Sequence, residues 1–293
     1  MSASSPAAAA GTFSFGGDLT VNRLGYGAMR LSGPGIMGPP KDRDEAIAVL
    51  REAVALGVNH IDTSDYYGPY LVNELIKEAL YPYPEDLVLV TKVGARRTAR
   101  GGWPAALSAQ ELTDAVHDNL KRLGIEQIHA VNLRMADARG GVMRENSLAE
   151  PFETMAWLQQ QGLIRHLGVS NVGREAIIEA QSIAPIACVQ NQFNLVQRDD
   201  EEIVDLCAAE GIAFVPFFPL GGFSPLAADR FAAVATEIGA TTMQLALAWL
   251  LQRSPAILCI PGTSSVAHLR ENIAAGEISL SPDQLDELDR LAR

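Results

Sequence analysis

Residues 61–68 read Ile-Asp-Thr-Ser-Asp-Tyr-Tyr-Gly, and they close a short apolar run that is typical of a buried strand. Asp62 comes at the end of that run, and Tyr67 follows five residues later. A second apolar run, at 87–91, ends directly in Lys92. The sequence therefore predicts that an acid, a phenol and an amine follow two successive strands.

These three side-chain types can form a proton relay. A phenol with a pKa near 10 is a poor acid at neutral pH. A neighbouring ammonium favours the ionised phenol and lowers its pKa, and a carboxylate can hold the ammonium in place. Taken singly, Asp62 could cap a turn, Tyr67 could be a packing aromatic and Lys92 a solvated strand end. Their combination at this spacing favours a general acid for reducing a carbonyl group.

Composition and charge restrict the class of protein. The chain has 293 residues, of which 48% are apolar, and this is enough for one large domain or two ordinary ones. The net charge of −12 and the pI of about 4.9 argue against nucleic acid or an anionic membrane as a partner. No apolar stretch approaches the roughly 20 residues that span a bilayer.

The N-terminal residues and the cysteines indicate the compartment. Residues 1–11 are mostly small and have no basic region followed by an apolar core, so we expect a disordered tail and no signal peptide. Cys188, Cys207 and Cys259 lie in apolar or helical runs without a CxxC or metal-type spacing. We therefore expect reduced core cysteines, no metal site and a cytoplasmic protein.

A pattern of strand followed by helix repeats along the chain. A stretch at 12–21, broken by Gly16-Gly17-Asp18, predicts an N-terminal β-hairpin. Capping boxes predict the starts of helices at Ser108–Glu111, Ser147–Glu150, Thr241–Gln244 and Ser281–Gln284. Candidate strands lie near 24–27, 58–62, 87–92, 128–133, 164–169, 186–190, 212–217 and 257–260. This order predicts an α/β fold, a closed (β/α)8 TIM barrel with an N-terminal β-hairpin, as one domain over 12–293.

The chemistry of such a barrel lies at the carboxyl ends of its strands. Asp62, Tyr67 and Lys92 lie there by this assignment, and further polar residues follow strands four to eight, at 132–134, 170–171, 190–191, 217–222 and 261–264. Amide side chains after strands five and six could bind a flat amide such as nicotinamide, and Phe217 or Phe218 could stack on its ring. The eighth loop opens a helix and offers backbone N–H groups that can hold phosphate.

Several segments together resemble the aldo-keto reductase family over nearly the whole chain. They are Leu24-Gly25-Tyr26-Gly27, Ile61 to Gly68, Thr91-Lys92, Gly168-Val169-Ser170-Asn171, Val189-Gln190-Asn191, and Ile260-Pro261-Gly262-Thr263 through Asn272. The resemblance implies a nicotinamide-dependent carbonyl reductase whose N-terminal hairpin plugs the barrel. It also implies NADPH as the cofactor and a small-molecule aldehyde as the substrate.

The resemblance implies a role for each matching residue. Tyr67 would be the proton donor, with Lys92 and Asp62 tuning it. The nicotinamide would be held by Ser170, Asn171, Gln190 and Phe217. The adenosine end would be held by Gly262, Thr263, Ser264, His268 and Asn272. The remaining cofactor contacts would come from Gly27, Ala28, Met29, Pro219, Leu220 and Gly221.

One position departs from the family pattern. The family usually has a catalytic histidine at the end of the fourth strand, where this chain has Asn132-Leu133-Arg134. His129 is near in sequence but lies in mid-strand. An arginine does not give up its proton at neutral pH. Arg134 could instead orient a carbonyl, lower the tyrosine pKa, bind an anionic substrate, or form a structural salt bridge with Asp62 or Asp65.

Arg134 and four loops resemble most the bacterial pyridoxal reductase branch of the family. The loops lie at 31–35, 38–40, 94–97 and 216–222. This branch implies reduction of pyridoxal to pyridoxine with NADPH in vitamin B6 salvage, by a monomer or weak homo-oligomer. The alternatives are a broad-specificity aldehyde reductase and a nicotinamide-binding redox sensor or regulatory barrel. A metal-dependent hydrolase is disfavoured, because no His-x-His or carboxylate cluster lies at the predicted strand ends.

Overall fold

The first two strands of the chain form an antiparallel hairpin, which is separate from the barrel sheet. The structure is a computed structural model, and it describes residues 5–135, 147–219, 221 and 228–292. Strands β1 (Thr12–Phe15) and β2 (Leu19–Asn22) pair with each other, which confirms the predicted hairpin. Phe15 and Val21 are fully buried and pack against residues of the barrel interior. The hairpin therefore covers the end of the barrel at which the parallel strands begin.

Parallel strands, hydrogen-bonded in chain order, form the barrel wall. They are β3 (Tyr26–Gly27), β4 (His60–Asp62), β5 (Val88–Val93), β6 (Ile128–Arg134), β7 (Ile164–Ser170), β8 (Ile186–Gln190) and β9 (Ala213–Phe214). Ile257 bridges Phe214, and Cys259 bridges Leu24, both in the parallel sense. The segment 257–259 thus fills the eighth position and joins the last strand to the first. The predicted (β/α)8 barrel and its strand order are confirmed.

Helices follow the strands and pack around the barrel. They are α1 (Arg43–Ala55), α2 (Leu71–Leu80), α3 (Ala109–Leu123), α4 (Ala149–Gln160), α5 (Arg174–Ile183), α6 (Glu201–Glu210), α7 (Ala228–Glu237), α8 (Thr242–Arg253), α9 (Val266–Ala274) and α10 (Pro282–Ala292). Ser108 and Thr241 form the predicted capping boxes of α3 and α8. Ser281 and Gln284 exchange the same pair of hydrogen bonds before α10. These local signals give the helix starts correctly.

The predicted capping box at Ser147 does not form. Helix α4 begins at Ala149 with Leu148 as its N-cap residue, whose side chain makes no capping bond. The Ser147 hydroxyl oxygen accepts from the N–H of Ala149 at 3.2 Å, and the hydroxyl donates to the Glu179 carboxylate at 2.5 Å. The other oxygen of that carboxylate accepts from the N–H of Leu148 at 2.8 Å. The carboxylate at the start of α4 is therefore that of Glu179 in α5, and not that of Glu150.

Residues 5–11 differ from the disordered tail predicted over 1–11. Pro6–Ala10 form a 3-10 helix in which Ala7 is fully buried. The N–H of Ala7 donates to the carbonyl of Leu56 at 3.0 Å, and the Arg23 guanidinium donates to the carbonyl of Ala10 at 3.4 Å. Small side chains let this backbone approach the body of the protein closely. Residues 1–4 lie outside the described part of the chain.

The barrel interior is apolar near the hairpin and polar at the opposite end. Val88, Val90 and Ala130 belong to one buried cluster with Phe15. One step further along β5 and β6, Lys92 pairs with Asn132, and both are buried. Because inward-facing residues of parallel strands stack in layers, the polar layer lies at the carboxyl ends of the strands.

Two further expectations concern the cysteines and the membrane. Cys188, Cys207 and Cys259 are free and buried, which confirms that they are reduced core residues. Within the described ranges, no single helix is long and apolar enough to cross a membrane. In the same ranges, Arg230–Glu237 of α7 and Thr242–Arg253 of α8, bent by 82° relative to each other, meet the criteria of length and composition as a pair.

Gly168 generates a prediction about the polar layer. A Cβ atom there would lie 2.1 Å from Asn132 Oδ1 and 2.7 Å from Cys188 Sγ. Gly168→Ala should therefore destabilise the fold by about 1–3 kcal/mol through overpacking, and the displaced side chains should lower any activity of the site. Urea denaturation measures the first effect. In the control Gly211→Ala the new methyl meets no atom within 4 Å, so only backbone strain of about 1–2 kcal/mol is expected. An equal loss of activity in Gly168→Ala and Gly211→Ala would contradict the conclusion that the polar layer around Gly168 supports the site.

Candidate active site

A buried ion pair between Lys92 and Asp62 lies at the carboxyl ends of β4 and β5. The Lys92 Nζ atom is 2.6 Å from Asp62 Oδ1 and donates a second hydrogen bond to the carbonyl of Thr63 at 3.0 Å. Only 7% of Lys92 and 3% of Asp62 are exposed. Since an ammonium carries three N–H donors and no acceptor, one donor remains for a third partner.

Tyr67 lies next to this ammonium. Lys92 Nζ is 5.4 Å from the centroid of the phenol ring, and its charge lowers the pKa of the phenol. Because a charged ammonium can only donate, it can approach the phenol oxygen as a donor and leave the phenolic hydrogen available for a different acceptor. The structure thus brings together Asp62, Tyr67 and Lys92, as their spacing predicts.

The turn after β4 determines where Tyr67 points. The carbonyl of Ser64 accepts from the N–H of Tyr67 at 3.1 Å, and the Ser64 hydroxyl accepts from the N–H of Tyr66 at 3.2 Å. Gly68 follows with a φ of +98°, which side chains rarely adopt. Its N–H and carbonyl bond to Ile36 and Gly38 of the first barrel loop. The turn is therefore held on both sides of Tyr67.

Burial and charge act in opposite directions on the two ionisable groups. Burial raises the pKa of the Tyr67 phenol, and the Lys92 charge, with a smaller effect of Arg134, lowers it. The net pKa of Tyr67 is raised, whereas a pKa below the ordinary value was expected from Lys92 alone. Burial also lowers the pKa of Lys92, but Asp62 and Tyr67 outweigh it, so that the pKa of Lys92 is raised. At neutral pH the lysine is charged and the phenol is protonated, as a proton donor requires.

The second carboxylate oxygen of Asp62 is also bonded. Gln190 Nε2 donates to Asp62 Oδ2 at 2.9 Å, and Gln190 is fully buried. Its other polar atom, Oε1, is a buried acceptor without a hydrogen-bond partner in the described structure. Each oxygen of the carboxylate thus has its own partner, and this fixes the orientation of Asp62.

A polar network outside the barrel wall supports the ion pair. Thr63 Oγ1 donates to Asn73 Oδ1 at 2.8 Å, and Thr91 Oγ1 donates to Asn119 Oδ1 at 2.6 Å. The two asparagines are joined by a bond of 2.9 Å from Asn73 Nδ2 to Asn119 Oδ1. Thr63 follows Asp62 and Thr91 precedes Lys92, so the network ties both strand ends to α2 and α3. Asn73 and Asn119, polar residues on the buried faces of α2 and α3, are the sequence signal from which this support could have been predicted.

Arg134 ends β6 on the Tyr67 side of the barrel mouth. Its charge lowers the pKa values of both Tyr66 and Tyr67, although burial raises each of them more. The two acids considered as structural partners are bound to other residues, because Asp62 pairs with Lys92 and Asp65 Oδ2 lies 2.5 Å from Arg122 Nη1. The influence of Arg134 on the phenol favours a role at the mouth over a structural salt bridge with Asp62 or Asp65.

The residues predicted to hold the nicotinamide lie at neighbouring strand ends. Ser170 and Gln190 are directly paired residues of β7 and β8. Asn171 has a φ of +57°, and its N–H donates to the carbonyl of Gln190 at 3.1 Å. All three residues are buried. Phe217 follows β9, where its N–H donates to the carbonyl of Asn191 at 3.0 Å.

The loop after β9 is described in part. Pro219 is buried, and the N–H of Gly221 donates to the carbonyl of Phe218 at 2.9 Å. Leu220 lies outside the described residues. Within the described ranges, no group of three or more His, Cys, Asp or Glu side chains is arranged to hold a metal ion.

The first and eighth barrel segments approach each other through glycines. A Cβ atom on Gly27 would lie 2.5 Å from the carbonyl oxygen of Ile260, and one on Gly262 would lie 2.7 Å from the carbonyl oxygen of Gly27. Ala28 next to them is buried, and Met29 is half-buried. These contacts place Gly27, Ala28 and Met29 beside the loop that opens α9.

The start of α9 differs from the expected row of free N–H groups. The N–H of Val266 donates to the Glu45 carboxylate at 2.9 Å, and the N–H of Ser265 donates to Thr263 Oγ1 at 3.1 Å. Two of the expected donors are thus already bonded. Among the predicted adenosine contacts, Ser264 and His268 are exposed, whereas Thr263 and Asn272 are buried.

Comparison with known proteins gives matches over most of the chain. The model of the aldo/keto reductase family matches residues 23–293. Pyridoxine 4-dehydrogenase of Escherichia coli K12 is 56% identical over 277 residues, which are 94% of this chain and 97% of that protein. The structure of a thermostable aldo-keto reductase with the inhibitor epalrestat superposes with a TM-score of 0.82 at 32% identity, covering 96% of this chain and 99% of that one. An aldo-keto reductase of Klebsiella pneumoniae in complex with NADPH gives 0.80 at 26% identity, covering 96% and 94%.

The ion pair generates a prediction about stability. Lys92→Met leaves Asp62 as a buried carboxylate without its cation, so it should destabilise the protein by about 3–5 kcal/mol. The double variant Asp62→Asn with Lys92→Met has no buried charge at this point and should recover a large part of that loss. Urea denaturation of the two single variants and the double variant measures the coupling. Strictly additive losses would mean that the two side chains do not stabilise each other.

Proposed function

Because this chain belongs to the aldo/keto reductase family, we propose that it reduces an aldehyde to an alcohol with NADPH. In this proposal Tyr67 donates the proton to the carbonyl oxygen. The observation that carries the proposal is the buried Lys92–Asp62 ion pair, whose ammonium lies 5.4 Å from the centroid of the Tyr67 ring. A phenol that needed only to pack would not require a buried cation, because burying an ammonium costs several kcal/mol unless it is paired.

We propose pyridoxal as the substrate, reduced to pyridoxine. The relative from Escherichia coli is named for the oxidation of pyridoxine at its 4-position, which is the reverse of this reduction. Its identity of 56% extends over nearly all of both chains. Pyridoxal is a flat aromatic aldehyde with an oxygen next to the carbonyl, and the arginine at the end of β6 offers donors suited to such an oxygen.

The residues of the nicotinamide site fit a carboxamide. Gln190 Oε1 is a buried acceptor without a hydrogen-bond partner among the described residues, and a primary amide supplies the N–H that such an acceptor needs. We propose that Ser170, Asn171, Gln190 and Phe217 hold the nicotinamide end. Gly262, Thr263, Ser264, His268 and Asn272 would hold the adenosine end, with Gly27, Ala28, Met29, Pro219, Leu220 and Gly221 as further contacts. When bound, the reduced nicotinamide supplies the hydride.

The proton transfer follows from the charges at Tyr67. The carbonyl carbon gains a hydride and the carbonyl oxygen becomes negative, and Tyr67 O–H gives its proton to that oxygen. The phenolate that remains is stabilised by the charge of the Lys92 ammonium, which lies 5.4 Å from the centroid of the phenol ring. Asp62 keeps Lys92 protonated, and Gln190 keeps Asp62 oriented. Solvent then returns a proton to Tyr67.

We propose that Arg134 binds the phenolic oxygen of pyridoxal. That oxygen lies next to the aldehyde and is largely ionised near neutral pH, since the ring nitrogen is often protonated. A guanidinium keeps its charge at all relevant pH values and presents a fork of donors. Arg134 could therefore orient the substrate without taking part in proton transfer.

We also propose that the protein acts in the cytoplasm, as a monomer or weak homo-oligomer, and folds as one domain over residues 12–293. The three free, buried cysteines suit a reducing compartment. The interior cluster that includes Phe15 of the hairpin and Ile260 of the last barrel segment supports a single domain.

Replacing the phenol tests the role of Tyr67. Tyr67→Phe removes the proton donor, so turnover should fall by a factor of about 100 to 10,000, with NADPH affinity nearly unchanged. Oxidation of NADPH followed at 340 nm gives the first value, and the fluorescence change on NADPH binding gives the second.

Tyr66→Phe is the matched control for that experiment. The Tyr66 hydroxyl accepts from the N–H of Ala95 at 2.9 Å, so its loss should affect turnover far less. A Tyr67→Phe enzyme with turnover near that of the wild type would remove Tyr67 from the mechanism.

Arg134 is tested by comparing two substrates. Arg134→Ala should reduce kcat/KM for pyridoxal more than for a simple aromatic aldehyde without a neighbouring oxyanion, by roughly 10-fold to 100-fold for a charge-assisted bond. Arg134→His should shift the preference toward plain aldehydes. An equal loss for both substrates would show that Arg134 acts on Tyr67 or on the fold, and its role in reading the substrate would be dropped.

A further inference from the structure

A second guanidinium lies beside Arg134 at the barrel mouth. Arg97 belongs to the loop 94–107, which follows β5, and its guanidinium carbon lies 3.7 Å from the centroid of the Trp103 ring. The guanidinium carbon of Arg134 lies 5.8 Å from the same centroid. The guanidinium groups of Arg97 and Arg134 therefore lie near the same indole ring. This local positive charge contrasts with the net charge of −12 of the whole chain.

The ring of Trp103 is tied to the loop that carries the phenol. It stands edge-on to Tyr66, with ring centroids 6.0 Å apart. The Tyr66 hydroxyl in turn accepts from the N–H of Ala95, two residues before Arg97. Because Tyr66 directly precedes Tyr67, Arg97 and Trp103 border the same mouth as the proposed proton donor.

Arg97 has hydrogen-bond donors that the protein does not use. Its Nη2 donates to the carbonyl of Gly35 at 3.1 Å. Its Nε and Nη1 are buried and have no hydrogen-bond partner within the described residues. Buried donors are almost always bonded, and an anionic oxygen is the acceptor that a guanidinium binds most strongly. The neighbouring Arg96 differs, because it is exposed and pairs with Glu111 at 3.0 Å.

We propose that Arg97 binds an anionic substituent, a phosphate or a carboxylate, on an aromatic aldehyde whose carbonyl lies at Tyr67. The proposal rests on the proposed function, and it extends the substrate class from pyridoxal, which carries neither group, to ring aldehydes that carry one. Arg134 and Arg97 would then contact two different oxygen groups of one ring. The stacking on Trp103 and the bond to Gly35 hold Arg97 in place before the substrate arrives, which reduces the entropy lost on binding.

Two matched pairs of substrates test the proposal. 4-Carboxybenzaldehyde and 4-nitrobenzaldehyde have nearly the same shape and differ in charge, and pyridoxal 5′-phosphate and pyridoxal differ by the phosphate. Arg97→Met should lower kcat/KM for at least one charged member by roughly 10-fold to 100-fold, since it removes a charge-assisted hydrogen bond, and leave the uncharged partner within about 2-fold. The pair that responds distinguishes carboxylate from phosphate. Arg96→Met removes the same charge from the same loop and should change neither ratio.

The result for the neutral aldehyde separates a binding role from a structural one. An equal loss for the charged and uncharged members of both pairs, or an equal effect of Arg96→Met, would overturn the proposal. If the wild-type enzyme reduces no aldehyde at all, the proposed function fails. In that case calorimetric titration with pyridoxine 5′-phosphate still tests Arg97, because the wild type should bind it and Arg97→Met should not. Equal affinity of both proteins would overturn the anion site independently.

Discussion

The electrostatic interaction of the Lys92 ammonium with the Tyr67 phenol is the one on which the rest of the site depends. It requires a charged ammonium inside the barrel, and that charge is tolerated because Asp62 lies 2.6 Å away and the carbonyl of Thr63 accepts a further bond. A buried ion pair is costly unless its remaining donors and acceptors are bonded. Here Lys92 donates to Asp62 and to the carbonyl of Thr63, and both carboxylate oxygens of Asp62 have partners. The result is a neutral phenol next to a buried cation.

The barrel makes this arrangement possible through its register and its close packing. Parallel pairing puts Asp62 opposite Val90, so that Lys92, two residues further along β5, reaches over the end of β4. In β7, Gly168 leaves room for the side chains of Asn132 and Cys188, and any larger residue at position 168 would collide with them. The hairpin covers the other end of the barrel, so the site is reached from the carboxyl ends of the strands. The fold thus supplies the dry, rigid surroundings in which a single charge strongly affects a neighbouring group.

Much of this could be predicted from the sequence, because the signals are local. The alternation of apolar runs with capped helices predicts the barrel. The positions of Asp62, Tyr67 and Lys92 after two of the predicted strands predict the proton relay. The predictions that were wrong concern features that depend on contacts between segments distant in the sequence. Glu179 of α5, and not Glu150, accepts from Ser147 before α4, and the Glu45 carboxylate of α1 accepts from the N–H of Val266 at the start of α9. The raised pKa of Tyr67 reflects how deeply the loop is buried, which side-chain spacing does not report.

The ionisation of Tyr67 in the free protein shows whether the Lys92–Asp62 pair controls a proton donor. Tyrosines labelled with 13C at Cζ report ionisation as a change in chemical shift, and the signal of Tyr67 is identified by its loss in Tyr67→Phe. We expect this phenol to stay neutral up to and beyond its ordinary pKa near 10, and to become harder still to ionise in Lys92→Met. A Tyr67 signal that is already ionised at neutral pH, or that does not respond to Lys92→Met, would contradict a proton donor controlled by the Lys92–Asp62 pair.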